Sequence, residues 1–320
     1  MKYKCCDYLM HQIVFDQFDI KPCCESSMNN DTIRFADNFD GKNFDINSYI
    51  SKRNNFIRQF KNGDIPKGCQ GCPLIKEQEW DEDDISLNRI IMANIAKCSC
   101  NCIYCVYTHD NPEKKHYFNT KENYDIKPLL LSLRNQNMIR DKFILIIGGG
   151  ECTEFEKGLL EWLLYFAASM DGYVQILSSG IKYSSAVEKF LEKGHAELVI
   201  SPDAGTKKTY EKIKQVKAFD RVWNNMKRYS EAVSKSKISR MAIKYIIIPG
   251  VNDNLEEVKS FTAKCRETLC RNIHIDIEHY WFKENKQNPP PQSVRDIMNY
   301  FAEQKDFDFN YSAETEYWLR

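Results

Sequence analysis

Four cysteines fall within eight residues in the stretch Cys98-Ser-Cys100-Asn-Cys102-Ile-Tyr104-Cys105. Three of them, Cys98, Cys102 and Cys105, have the spacing C-x3-C-x2-C. Three thiolates on one loop can each take an iron of a [4Fe–4S] cube and leave the fourth iron open to another ligand. Zinc is the alternative. It asks for four ligands, usually in two C-x2-C-like pairs, and Cys100 supplies a fourth.

Ten of the 13 cysteines lie in the first 105 residues. Upstream of the loop they form the groups Cys5-Cys6, Cys23-Cys24 and Cys69-Gln-Gly-Cys72-Pro. One thiolate from each doublet plus Cys69 and Cys72 makes a set of four, drawn from Cys6, Cys23, Cys24, Cys69 and Cys72. Gly68 and Gly71 leave room for backbone amides near sulfur. Such a set fits an auxiliary [4Fe–4S] cluster, and zinc fits the same count.

A polar file marks a second place. In Ile273-His274-Ile275-Asp276-Ile277-Glu278 apolar and polar residues alternate strictly. In a sheet covered by helices on one face, the apolar set meets the helices and His274, Asp276 and Glu278 face inward, where buried polar groups need partners such as a substrate. Asn94, just ahead of the cysteine loop, is a further substrate candidate.

These residues are positioned by alternating strands and helices. Apolar runs predict strands from Ile90 to Ile95, Phe143 to Ile147, Tyr173 to Leu177, Glu197 to Ile200, Met241 to Ile248 and Ile273 to Ile277. Helical spacing appears at Leu159, Leu160, Leu163 and Leu164. Ser185 with Glu188 reads as a capping box, Gly194 as a helix stop and Asn254 as a helix start. The pattern predicts an α/β fold: a partial (β/α)6 barrel of parallel strands wrapped by helices, with functional residues at the strand C-termini. A Cys-rich N-terminal module is expected over 1–85, the barrel over 86–285 and a C-terminal cap over 286–320.

Composition narrows the class. The chain has 320 residues, 42% of them hydrophobic, which supports a sizeable core. Lys plus Arg equals Asp plus Glu at 45 each, so no net charge favours nucleic acid. The basic run from Lys207 to Lys217 reads as a solvated helix face. No apolar run reaches the roughly 18 residues of a membrane span. The start, MKYKCCDYLM, lacks the apolar core of a signal peptide, so a cytoplasmic protein is expected.

The cysteine loop resembles the C-x3-C-x-aromatic-C motif of the radical S-adenosylmethionine (SAM) superfamily, matched by Cys98, Cys102, Tyr104 and Cys105 after the first strand. Three further segments agree. Gly148-Gly149-Gly150-Glu151 resembles the family's GGEP motif, with Cys152 in place of the proline. Ser178-Ser179-Gly180 stands where relatives carry a Thr-Asn-Gly-like turn. Ser201-Pro-Asp203-Ala-Gly-Thr206 with Thr209-Tyr210 resembles a stretch common in SPASM- and Twitch-type members.

The resemblance covers about residues 90–280. It implies a [4Fe–4S] cluster whose open iron chelates SAM, reductive cleavage to a 5′-deoxyadenosyl radical, and hydrogen abstraction from a substrate. It implies that Tyr104 lies against adenine and that Gly149, Gly150 and Glu151 bind the SAM amino group. Ser179, Ser201 and Asp203 would face SAM or substrate, and Lys244 would pair with the SAM carboxylate. An electron donor such as flavodoxin or ferredoxin is implied as partner.

Oxidation or epimerisation of a sugar-like or peptide substrate is the expected reaction, with Cys152 as candidate hydrogen donor. The alternatives are a zinc-stabilised binding protein without catalysis and a radical SAM enzyme modifying nucleic acid.

Overall fold

The computed structural model describes residues 2–16, 19–23, 33–36, 39, 44–72, 74–94, 97–105, 124–285, 287–312 and 315–316. Cys24 and Ile95 lie outside them. The backbone divides into two compact units. One comprises Met1–Ala96, Lys121–Gly150 and Tyr165–Val174; the other comprises Lys97–Thr120, Glu151–Leu164 and Gln175–Arg320.

In the first unit, β1 (Lys2–Cys5) pairs antiparallel with β4 (Lys76–Glu79), so that Cys5 stands opposite Lys76. A second set of strands runs in the order β6-β5-β2-β3. Here β2 is Gln12–Phe15, β3 is Ile20–Lys21, β5 is Leu87–Met92 and β6 is Ile139–Ile147. Strand β5 is parallel to β2 on one side and to β6 on the other.

The helices of this unit are α1 (Asp7–His11), α2 (Ile46–Lys61) and α3 (Lys127–Asn135). Asp45 caps α2 by accepting the Asn47 N–H at 2.9 Å. The helix buries Tyr49, Arg53, Ile57 and Phe60, a stripe at three- and four-residue spacing. The buried Arg53 guanidinium is satisfied by the carbonyls of Met10, Glu82 and Asp84 at 3.2, 3.2 and 2.7 Å. The region before residue 86, expected as a Cys-rich module, thus supplies β2, parallel to β5, and β3, antiparallel to β2.

Strand β7 (Tyr173–Ser178) contains the division between the units. In the second unit the strands run in the order β11-β10-β9-β8-β7. The others are β8 (Ala196–Ile200), β9 (Arg240–Ile247), β10 (Asn272–Ile277) and β11 (Asp308–Tyr311). The pairs β8–β9, β9–β10 and β10–β11 are all parallel.

The remaining helices are α4 (Leu159–Ala168), α5 (Ser185–Lys193), α6 (Lys207–Lys214), α7 (Phe219–Ser234), α8 (Leu255–Arg266), α9 (His279–Asn285) and α10 (Gln292–Glu303). The α5 cap is Ser184, one residue before the expected Ser185, and it accepts the Val187 N–H at 3.4 Å. Gly194 closes α5 at φ 88°, and Asn254 caps α8 by accepting the Glu257 N–H at 3.0 Å.

The helices cover one face of these strands. Tyr245 meets Phe261 of α8 and Phe301 of α10, with ring centroids 4.6 and 6.0 Å apart. Ile273, Ile275 and Ile277 are buried, while His274 and Asp276 alternate with them at intermediate exposure, as the polar file predicts. Parallel strands alternating with helices make the chain α/β, as expected. The C-terminal segment expected as a cap supplies β11, a parallel edge strand on β10. Among the described residues, no helix is long and apolar enough to cross a membrane.

Candidate active site

The cysteine loop is fixed at both ends and in the middle. Glu151 N–H donates to the Lys97 carbonyl at 2.7 Å. The N–H groups of Asn101 and Ile103 donate to the carbonyls of Lys214 and Ile213 at 3.1 and 3.0 Å. These are last-turn carbonyls of α6, which have no partner inside the helix. Cys105 N–H closes a turn on the Cys102 carbonyl at 3.0 Å.

Within the loop, Cys98 Sγ accepts the Cys100 N–H at 3.4 Å. The Cys100 thiol hydrogen-bonds to Cys98 and Cys102, which raises its own proton affinity and lowers theirs. For Cys102 this bond is the main cause. With the Lys214 charge also helping, it outweighs burial and holds the thiol at about 6. Cys100 is therefore a proton-bearing donor among the four, and Cys98 and Cys102 are pushed toward thiolate.

Thiolate is the form that binds iron, so the donor chemistry fits a cluster at Cys98, Cys102 and Cys105. Among the described residues, no group of three or more His, Cys, Asp or Glu closes around a single metal ion. A cubane does not require that, because its cysteine sulfurs bind separate irons and stand apart.

The turn after β6 presents Gly149, at φ 93°, and Gly150 at the end of the first unit. Glu151, 1% exposed, opens the segment that follows. Its Oε1 accepts from Thr153 N–H and Oγ and from Ser178 Oγ at 3.2, 2.7 and 2.8 Å. Its Oε2 accepts the Ser179 N–H at 2.6 Å and keeps a second acceptor position. Glu151 and Ser179 are thus brought together at the C-terminal end of β7. Cys152 is buried with Sγ 3.8 Å from Glu151 Oε1, and its thiol is raised by burial first and then by that carboxylate.

The segment after β8 has a different arrangement. Ser201 is half-buried. Asp203 is fully buried and adopts φ 55°, an uncommon conformation for a side chain of this kind. One of its oxygens accepts the Ile246 N–H at 2.8 Å; the other accepts the Tyr104 hydroxyl at 2.5 Å and forms an ion pair with Lys214. Lys214 Nζ also lies 2.6 Å from the Tyr104 hydroxyl. Burial and then the Asp203 charge raise the Tyr104 phenol well above its usual range. Tyr104 and Asp203, expected to face adenine and SAM, thus meet each other and anchor the cysteine loop.

Asn252 donates to the Asp203 carbonyl at 2.9 Å and accepts the Ile248 N–H at 2.7 Å. Val251-Asn252-Asp253 resembles by sequence a turn that follows this strand, β9, in relatives, but the bond from Asn252 to Asp203 is not legible there, and Lys214 was missed. Lys214 was masked by the basic run: Lys207, Lys208 and Lys212 are exposed as expected, whereas Lys214 is 3% exposed.

Lys244 and His274 are partners in the β9–β10 register, and Lys244 Nζ lies 2.7 Å from Asp276 Oδ2. These three line a cavity of about 380 Å³ with Gln175, Asn310 and Tyr311. Burial lowers the His274 pKa, and the charges of Glu197 and Asp276 partly oppose it. Glu278 is not brought to this cavity. It lies past the strand end, where its carboxylate accepts the N–H groups of Tyr280 and Trp281 at 3.1 and 2.6 Å and caps α9. Asn94, in the first unit, is buried and donates to the Tyr124 carbonyl at 3.3 Å; its Oδ1 has no partner among the described residues.

In the first unit, Cys6 caps α1, its Sγ accepting the Leu9 N–H at 3.4 Å. Cys72 N–H donates to the Cys69 carbonyl at 3.1 Å, and Gly71 between them takes φ 74°. The Cys69 thiol is pushed up to about 12 by burial, then by Cys6 and Cys72. Cys5 is fully buried and also feels Cys6 and Cys69. Cys23 follows β3, half-buried.

A family model described as the radical SAM superfamily matches residues 95–262, more than half of the chain. The chain belongs to the radical SAM superfamily. The matched segment carries the cysteine loop, Glu151, Asp203 and Lys244. The family implies a [4Fe–4S] cluster and SAM.

Among solved structures, Streptococcus suis SuiB bound to S-adenosylmethionine is similar at TM-score 0.52 and 13% identity, over 84% of this chain and 57% of that one. SuiB bound to precursor peptide SuiA is similar at TM-score 0.52 and 12% identity, over 83% and 63%. Native anSMEcpe with bound AdoMet gives 0.46 and 17% over 60% and 51%. The likeness to SuiB is one of fold, and the chain spans less than two thirds of that protein's length. No curated protein matches the sequence.

Proposed function

We propose that this radical SAM enzyme abstracts hydrogen from a substrate in an oxidation or epimerisation, the substrate being sugar-like or a peptide. The observation that carries the reading is the cysteine loop, with Cys98, Cys102 and Cys105 at C-x3-C-x2-C spacing on a backbone pinned to α6 through Asn101 and Ile103. Cys98, Cys102 and Cys105 would hold the [4Fe–4S] cluster. When bound and reduced, that cluster supplies the electron that cleaves SAM to a 5′-deoxyadenosyl radical.

The chain's own groups divide the remaining work. Glu151 Oε2, which accepts the Ser179 N–H, retains an acceptor position for the SAM amino group; Gly149 and Gly150 would offer backbone groups to SAM, and Ser201 would face SAM or substrate. Lys244 offers a cation for the SAM carboxylate, in exchange for Asp276. His274 and Asp276 present donors and acceptors to substrate, and Asn94 Oδ1 offers another acceptor. Tyr104 and Asp203 position the loop. Cys152 stays protonated, the form a hydrogen donor needs.

The segment 1–85 would serve as an auxiliary-cluster module, with 86–285 as the catalytic core and 286–320 completing it. Cys6, Cys69 and Cys72, with one further cysteine, supply four thiolates, and a cluster there would accept the electron that an oxidation releases. A flavodoxin or ferredoxin would supply the first electron. SuiB is named with a precursor peptide, which favours a peptide as the first substrate to try.

The test is oxygen-free reconstitution with iron and sulfide, comparing wild type with the Cys98→Ala/Cys102→Ala/Cys105→Ala variant. About eight irons per chain should fall to about four, with loss of 5′-deoxyadenosine. Zinc without iron, and no SAM cleavage, would leave a zinc-stabilised binding protein.

A further inference from the structure

We propose that Lys214 is the positioning residue of the cysteine loop, and that its ion pair with Asp203 keeps the surroundings of the SAM cluster free of a net charge that would shift its reduction potential. This rests on the assignment of that cluster to Cys98, Cys102 and Cys105.

Lys214 reaches the loop twice. Its carbonyl and that of Ile213 take the N–H groups of Asn101 and Ile103, the residues on either side of Cys102. Its ammonium also meets the Tyr104 hydroxyl and Asp203, and lies 5.0 Å from the Tyr104 ring centroid. Gln215, at φ 56°, ends α6 immediately afterwards, so the helix terminates against the cysteines.

Asp203 is immobilised from the other side by the Ile246 N–H and by Asn252. The pair therefore links the sheet to the loop through two charges that are almost wholly withdrawn from water. Burying two such charges carries a desolvation cost that their attraction must repay, and two apolar side chains would fill the space without that cost. What the ion pair adds is a fixed charge arrangement beside Cys102. Cluster potentials follow net charge and burial, and the intact pair contributes no net charge. Removing either partner leaves an uncompensated charge of known sign next to the cluster.

The experiment is a redox titration of the full-length, reconstituted protein, following the cluster whose signal changes on adding SAM. Lys214→Met leaves the Asp203 anion and should make reduction harder. Asp203→Asn leaves the Lys214 cation and should make it easier. Each should change the ratio of reduced to oxidised cluster at fixed potential by about tenfold, or 59 mV for a one-electron couple, in opposite directions. The double variant should return toward wild type, and Lys214→Arg should stay near it.

Shifts of the same sign, or none, overturn the proposal, because loss of a merely structural support has no sign. If the charge variants do not fold, Tyr104→Phe keeps the ring and leaves the ion pair in place. It should speed exchange of the Asn101 and Ile103 amides about tenfold in metal-free protein, and unchanged exchange overturns the proposal. Retention of the SAM cluster in the triple alanine variant would instead defeat the assignment on which the proposal rests.

Discussion

The carboxylate of Glu257, on α8, accepts the backbone N–H of Gly205 at 2.6 Å. It also takes the Thr206 N–H at 2.9 Å and the hydroxyls of Thr206 and Thr209 at 2.7 Å each. One buried acid thus fastens the segment after β8 and the start of α6, fifty residues away in sequence. Gly205 permits the approach: a Cβ there would lie 2.0 Å from the Phe261 nitrogen, a backbone atom that no rotamer change can move.

Glu257→Ala strands two N–H groups and two hydroxyls and should destabilise the protein by at least about 3 kcal/mol, the worth of one or two bonds to a charged acceptor, with water taking up the rest. Gly205→Ala should cost at least as much. Urea unfolding of the metal-free protein reads both, and a midpoint equal to wild type in either variant contradicts the role assigned.

His274 gives a pH signature. Burial, the leading cause, lowers its pKa in the folded chain. As pH falls through the ordinary histidine value of about 6.5, the unfolded chain takes up a proton that the folded chain refuses. Stability should therefore decline as pH drops below that value and level off once the folded His274 also titrates. His274→Gln should flatten that part of the profile in urea titrations at stepped pH. A slope unchanged by the substitution would refute the assignment.

In the epimerase version of the proposed reaction, Cys152 would be the hydrogen donor. Its buried, protonated thiol is suited to returning a hydrogen atom to a substrate radical. Cys152→Ala should still cleave SAM but should lose the inverted product by at least tenfold. Full turnover with the same product stereochemistry would leave Cys152 as a small buried hydrophobe.

The central strands were legible because their apolar runs are long and bounded by turns. Phe143 to Ile147 and Met241 to Ile248 fall within or across β6 and β9. Strand β2 was not, because four residues next to a five-residue helix give neither period room to repeat. Nor was β11, whose Asp-Phe-Asn-Tyr has the mixed exposure of an edge strand. The cysteine motif and Glu151 could be read directly. The roles of Lys214, Asn252 and Glu257 could not, since each also acts through a partner more than forty residues distant, which no local pattern encodes. Glu278 misled because its alternation runs one residue past the strand end, where a helix cap claims it.

The loop that carries Cys98, Cys102 and Cys105 is tied at Lys97, Asn101, Ile103 and Tyr104 by bonds between protein groups alone. Ordering a backbone costs roughly 1–2 kcal/mol per residue. Small metal-stapled domains leave that cost to the metal and unfold without it. Here the bonds to α6 and Asp203 share that cost, so the protein's own packing, and not a bound group alone, shapes the backbone between Lys97 and Cys105.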